Sequence, residues 1–223
     1  MAVKQGNASG KRRQRRAGPP PAGHDATLSR DRIVATAVEL LDAQGVDGLT
    51  MRALADRLGS GVMSLYWHVA NKDDVFDLAL DSVLEYREAS SGGEDDWRAD
   101  AVHILEDWRA RMLDHPWSAS LLPRRALGAS ILSRLELLGR ALSRAGVADA
   151  DLNAAIWALW NYVMGATITR ASFEVPDNER TAVQERLGEQ HPTIERTRLL
   201  LDNDWDGAFR KGLDYLLDGL APR

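Results

Sequence analysis

From Leu152 to Thr169 the chain runs through 18 positions without a charged residue. Few soluble folds tolerate that. A membrane-spanning helix needs about 20 predominantly apolar residues. This run is shorter and holds Asn153, Asn161, Thr167 and Thr169. The sequence therefore predicts a helix of about 150–172 that is covered on several sides, by a core and by a subunit contact.

The rest of the chain reads as helix as well. Ile33, Ala37, Leu40, Leu41 and Gln44 recur at helical spacing after Ser29, an N-cap residue type, and Gly45 suits a helix stop. Thr50 can cap a short helix to Leu58. Gly59-Ser60-Gly61 makes a turn, and a third short helix is expected over Val62–His68. Asn71-Lys72-Asp73-Asp74 resembles a capping box that opens a fourth helix to about Glu88. This helix has two apolar stripes, Val75/Ala79/Val83/Tyr86 and Phe76/Leu80/Leu84, as befits an element held between two bodies. The polar stretch 90–96 marks a domain boundary. Beyond it, one stripe runs Trp97, Ala101, Ile104, Leu105, Trp108, Met112 and ends at His115-Pro116. Another runs Leu127, Ile131, Leu135, Leu138, Leu142 and ends at Gly146. Further helices are expected near 178–190 and 204–219. With no strand-like alternation of useful length, the expected fold class is all-α, with about nine or ten helices.

Charge is unevenly spread. The whole carries −5, yet residues 1–75 hold 11 Lys/Arg against 8 Asp/Glu, and residues 1–32 alone hold 8 against 2. Phosphate attraction depends on nearby charge, so the N-terminal third suits a polyanion partner despite the acidic total. Residues 1–27, rich in Gly, Ala, Pro and Arg, read as a flexible basic arm, with Lys11, Arg12, Arg13, Arg15 and Arg16 its cations. A basic start leading into prolines is no secretory signal, and a cytoplasmic protein is expected.

Helix, short helix, Gly turn and short helix make a helix-turn-helix arrangement. Its second short helix would enter a major groove. Val62 and Met63 can touch thymine methyls, Ser64 a base or a phosphate, and Arg52 a guanine edge. Thr50, Tyr66, His68 and Lys72 suit phosphate oxygens. Leu54, Ala55, Leu58 and Leu65 read as core.

The stretch Gly48-Leu49-Thr50-Met51-Arg52-Ala53-Leu54-Ala55, with Leu58-Gly59, Ser64-Leu65-Tyr66-Trp67-His68-Val69 and Asn71-Lys72, resembles the TetR family of transcriptional repressors. The resemblance implies a DNA-binding domain at 28–88 and assigns DNA contact to the eight positions already chosen. Trp67 is expected to pack back on the domain. Asp114-His115-Pro116-Trp117, Ala126-Leu127-Gly128 and Trp157–Gly165 resemble the tetracycline-repressor type of second domain. They imply an effector-binding and dimerisation domain at 89–223. In the family the long eighth helix and the last helix form a four-helix bundle across a two-fold axis.

Family members usually bind a small effector in that domain, and six of the seven tryptophans fall there. Ile104, Trp108 and Met112 on one helix face are the first candidates. Trp157 and Asn161, at i and i+4, could add an aromatic wall and a hydrogen bond. His103 and His115 are expected nearer the surface. The chain has no cysteine, and its histidines lack short ligand spacing. No metal or other cofactor is expected, and the magnesium of the tetracycline repressor is not carried over. No nucleophile elbow, phosphate-binding loop or His-Glu-x-x-His motif occurs, so an enzyme is not expected. The reading is a homodimeric repressor of a palindromic double-stranded DNA operator, released by an apolar or aromatic effector, without a membrane association. A ligand-independent regulator and an activator are the alternatives.

Overall fold

The structure, a computed structural model, describes residues 28–86, 96–125, 128–173, 175–187, 191–199, 201 and 204–220. The basic arm, most of the polar boundary stretch, and Ala126 and Leu127 lie outside them. Among the described residues there are eleven α-helices, one 3-10 turn and no strand. Helices α1 (Arg30–Gly48), α2 (Met51–Leu58), α3 (Val62–Leu65) and α4 (Lys72–Val83) form the first body. Helices α5 (Trp97–Asp114), α6 (Pro116–Leu121), α7 (Ala129–Arg144), α8 (Asp149–Ser172), α9 (Asp177–Leu187), α10 (Pro192–Thr197) and α11 (Trp205–Leu220) form the second.

Local chemistry explains the starts. Ser29 Oγ accepts the Arg32 N–H at 3.2 Å, Thr50 Oγ1 the Ala53 N–H at 3.0 Å, and Asn71 Oδ1 the Asp74 N–H at 2.9 Å. Each satisfies a backbone donor that the first turn leaves without a partner. Asp74 reaches back to the Ala70 N–H at 2.9 Å, one residue earlier than a standard capping box. Gly45 interrupts α1 with φ 68°, and Gly59 closes α2 with φ 66°, both in the left-handed region that glycine occupies without strain.

Three expectations need correction. The third short helix is α-helical only to Leu65, and a tighter turn follows in which the His68 N–H reaches the Leu65 carbonyl at 2.9 Å. The fourth ends at Val83 rather than near Glu88. There, the Leu84 carbonyl is taken by Arg134 Nη2 at 3.0 Å, and Arg111 Nη1 lies 3.5 Å from the Val83 carbonyl. Side chains from the second body thus satisfy carbonyls that further helix would have used. The helices also exceed nine or ten, because six-residue α6 and α10 are too short to show periodicity. Each is marked only by a proline at its first position.

Both apolar stripes of α4 are used: Val75, Ala79 and Val83, and Phe76, Leu80 and Leu84, are all buried. The helix packs on α1 on one side and α7 on the other. The long helix α8, charged only near its two ends, buries Ala155, Leu159, Trp160, Val163, Met164 and Thr167 against the rest of the second body. Its opposite side faces outward, with Trp157 51% exposed. No helix among the described residues is long and apolar enough to cross a membrane.

A second seam joins α1 to α6. Asp42 Oδ1 lies 2.8 Å from His115 Nδ1 and accepts the Trp117 indole N–H at 2.7 Å. Trp117 is buried, so its N–H has few other partners. Asp42→Ala should lower the free energy of unfolding by about 1–3 kcal/mol, the cost of stranding such a donor. Urea melts would show a lower midpoint at an unchanged slope.

Candidate nucleic-acid interface and its link to the second body

Leu54, Ala55, Leu58, Leu65 and Val69 are buried together and fix α2 against α3. That packing leaves the other side of α3 and the turn after it in solvent. Met63 is 74% exposed and Trp67 87%. Ser64, Tyr66 and His68 are exposed beside them, and Val62 is half-buried. Thr50 and Arg52 are exposed at the start of α2. Thr50's oxygen is occupied as cap acceptor, so its hydroxyl proton remains to donate outward. Lys72 opens α4 with its ammonium 5.0 Å from the Phe76 ring centroid, which fixes the charge near the same end. The eight predicted positions therefore lie on the cap and first turn of α2, on α3 and the turn that follows it, and at the entry to α4.

Trp67 overturns its expectation. It does not pack on the domain but stands free with Met63. Isolated exposed hydrophobics are ordinary, but an indole and a thioether four residues apart and both bare make this stretch a candidate contact surface. Sequence reasoning missed it because tryptophan at such spacing is usually core.

The link to the second body is polar as well as apolar. Asp73, Asp77 and Asp81 follow one another at i, i+4, i+8 along α4. Arg125 Nε donates to Asp77 at 2.7 Å, while its terminal nitrogens reach the Asp73 carboxylate at 2.8 Å and carbonyl at 2.7 Å. Asp81 accepts the Ser130 N–H at 2.7 Å. This close approach needs Gly128, since a Cβ there would collide with the Asp81 carboxylate. The Asp77 hydrogen bond, more than any other factor, holds the Arg125 pKa above its ordinary value. At the far end of α4, Arg134 is fully buried. It donates to the Ile104 carbonyl at 3.0 Å and pairs with Asp107 at 2.8 Å. Burial lowers its pKa, and the hydrogen bond to Asp107 opposes that. The acidic spacing was legible in the sequence; its partners, Arg125 and the Ser130 N–H, were not, being about 50 residues away.

Of the effector candidates, Ile104, Trp108 and Met112 are buried on the inner face of α5. Trp157 and Asn161 lie on the exposed face of α8. An edge-on aromatic series connects the two places: Trp108 to Trp160 at 4.7 Å and Trp160 to Trp157 at 5.7 Å between centroids. His103 meets the Tyr86 ring edge-on, and His115 belongs to the Asp42 seam. Among the described residues no group of three His, Cys, Asp or Glu is placed to hold a metal ion.

Comparison with known proteins decides the family. Residues 33–79 match the model for bacterial regulatory proteins of the tetR family, and residues 90–223 the tetracyclin repressor-like C-terminal domain. The chain belongs to the TetR family. It is 41% identical over 201 residues to an HTH-type transcriptional regulator of Saccharopolyspora erythraea, covering 87% of this chain and 85% of that one. The structure of BioQ with its natural double-stranded DNA operator aligns with a TM-score of 0.62 at 30% identity, over 88% of this chain and 99% of that one. ActR of Streptomyces coelicolor in complex with actinorhodin aligns with a TM-score of 0.72 at 28% identity, over 87% and 96%. The TetR-family chain is thus a DNA-binding transcriptional regulator, and its relatives are regulators rather than enzymes. Trp67→Ala should leave its stability within about 0.5 kcal/mol, as for an exposed side chain. In fluorescence anisotropy with duplex DNA, the same change should weaken binding by roughly tenfold or more, as hot-spot aromatics do.

Proposed function

We propose that this TetR-family regulator is a cytoplasmic homodimeric repressor that leaves a palindromic operator when a small apolar or aromatic effector enters its second body. The observation that carries this reading is the double attachment of α4. The helix belongs to the DNA-binding body by its apolar stripes, yet its acidic face and C-terminal carbonyls are held by Arg125, Ser130, Arg111 and Arg134. A ligand that favours a different arrangement of α5 and α7 must therefore move α4. Operator affinity falls by the ligand's differential affinity for the two arrangements.

In this reading Thr50, Arg52, Val62, Met63, Ser64, Tyr66, His68 and Lys72, joined by Trp67, meet the duplex. Two such heads read half-sites about one helical turn apart, or a multiple of it. Dimerisation is supported by the uncharged outer face of α8, which carries Trp157 and Ile168, and by exposed Tyr215 on α11 beside it. The Tyr162 hydroxyl donates to the Phe209 carbonyl at 2.8 Å and fixes α11 on α8. The effector is assigned to Ile104, Trp108 and Met112, with Trp157 and Asn161 toward the outer face. These α5 side chains are buried without it, so binding selects a more open state. Their tight packing also favours a second reading, a ligand-independent regulator.

Sedimentation equilibrium should give twice the 24.6 kDa chain mass, and Ile168→Glu should give a monomer with little operator affinity. DNA selected from a random pool should contain an inverted repeat. Compounds that raise the melting temperature of the protein should release that DNA; a chain for which none does so is the ligand-independent regulator. Arg125→Ala should keep operator binding within a few-fold but require much more effector for release, measured in the same anisotropy assay. Deleting residues 1–20 should weaken operator binding and flatten the slope of log K against log salt, by loss of arm–phosphate contacts.

A further inference from the structure

Four buried polar groups of the second body have no hydrogen-bond partner among the described residues: Ser118 Oγ, Arg109 Nε, and, on two adjoining side chains, Arg134 Nε and the Trp108 indole Nε1. Both side chains are fully buried, and the guanidinium carbon lies 5.6 Å from the Trp108 ring centroid. Its other flank is the Tyr86 ring, at 4.7 Å. A buried donor without a partner is costly, and one such site seldom holds two. The local charge is also uneven. Arg134 and Arg111 share the single carboxylate of Asp107, at 2.8 and 2.9 Å, which leaves one positive charge in excess in that cluster.

We propose that this point recognises an anionic oxygen pair, a carboxylate, on a planar aromatic effector. The inference rests on the effector reading above and names the effector's class. A carboxylate binds a guanidinium best along one edge with two parallel hydrogen bonds. The edge formed by Nε and Nη2 has its Nε unused, while Nη2 donates to the Leu84 carbonyl. A carboxylate on that edge takes both N–H groups, and Trp108 Nε1 supplies a third donor. Tyr86 and Trp108 provide ring walls for the attached aromatic plane. Nη2 carries two N–H groups, so the ligand and the Leu84 carbonyl that follows α4 meet on one guanidinium, which ties recognition to the end of that helix. A groove of about 560 Å³ lies beside the cluster, but carboxylates of Glu106, Asp107, Asp114 and Asp206 line it and neither Arg134 nor Trp108 does, so the ligand enters where the packing of α5 and α7 opens.

The test uses the full-length protein and acid–ester pairs: 2-naphthoate, 2-anthroate and anthraquinone-2-carboxylate, each with its methyl ester, titrated by calorimetry. At least one acid should bind roughly 10- to 100-fold tighter than its ester, the range expected for a charge-assisted hydrogen-bond pair, and should release selected operator DNA. Arg134→Lys keeps the charge but lacks the edge, and should lose most of that preference. Trp108→Phe keeps an aromatic ring but removes the N–H, and should lower the acid-over-ester preference by roughly threefold or more. Arg134→Met, checked for native helicity, should bind acid and ester alike. The proposal is overturned if no acid binds, if esters match acids in the wild type, or if Arg134→Lys keeps the acid preference. An ester or other neutral aromatic that releases the operator would overturn it while leaving the effector reading standing.

Discussion

Helix α4 has almost no side of its own. Two apolar stripes and a row of three carboxylates leave little of its circumference for solvent, and its final carbonyls end on arginines of the other body. Such a helix cannot shift relative to one neighbour without loss to the other. Packed interiors switch between discrete arrangements rather than deforming smoothly. The rest of the molecule follows from that constraint. The reading elements hang from one side of α4, and the aromatic interior of α5, α7 and α8 rests against the other.

The two ends of the helix are held by different means. Near its start, Arg125 spans Asp73 and Asp77 at a site open enough for water to share the work. Partly exposed pairs of this sort add modest stability but fix geometry well. Near its end, Arg134 is shut away from solvent and depends on Asp107 to remain charged without large penalty. A buried guanidinium is poor value as a stabiliser, so its presence where an apolar residue would fit is better understood as coupling.

What could be read from the sequence was local. Ser29, Thr50 and Asn71 cap as their side chains dictate, and the stripes on α1, α4, α5 and α7 became largely buried faces. The start and end of α8 followed from its neighbours' charges. What could not be read was set by distant partners. Helix α4 stops because Arg134, 50 positions later, takes its last carbonyl. Trp67 lies in solvent because α3 is a single turn: Leu65 anchors the inner side, and no surface remains on the domain for an indole to cover. The eight proposed contact residues fall in one short stretch, Thr50–Lys72, and none is buried, an exposure that depends on short-range geometry. The proposed effector residues split between a buried α5 face and an outer α8 face, which no single-helix periodicity reveals.

The exposed Met63–Trp67 pair has a consequence for how the regulator travels along a chromosome. Apolar area left in water is free energy released on covering it, at roughly 25 cal/mol per Å², and any duplex groove deep enough will cover some of it. That share of the grip discriminates weakly, since the thymine methyl is the one apolar feature that the base edges of a major groove present. Within the proposed contact set, discrimination among sites then falls mainly to the hydrogen-bonding neighbours, Arg52 and Ser64 foremost, so a head that lingers on random sequence would be slowed further where those two find their match.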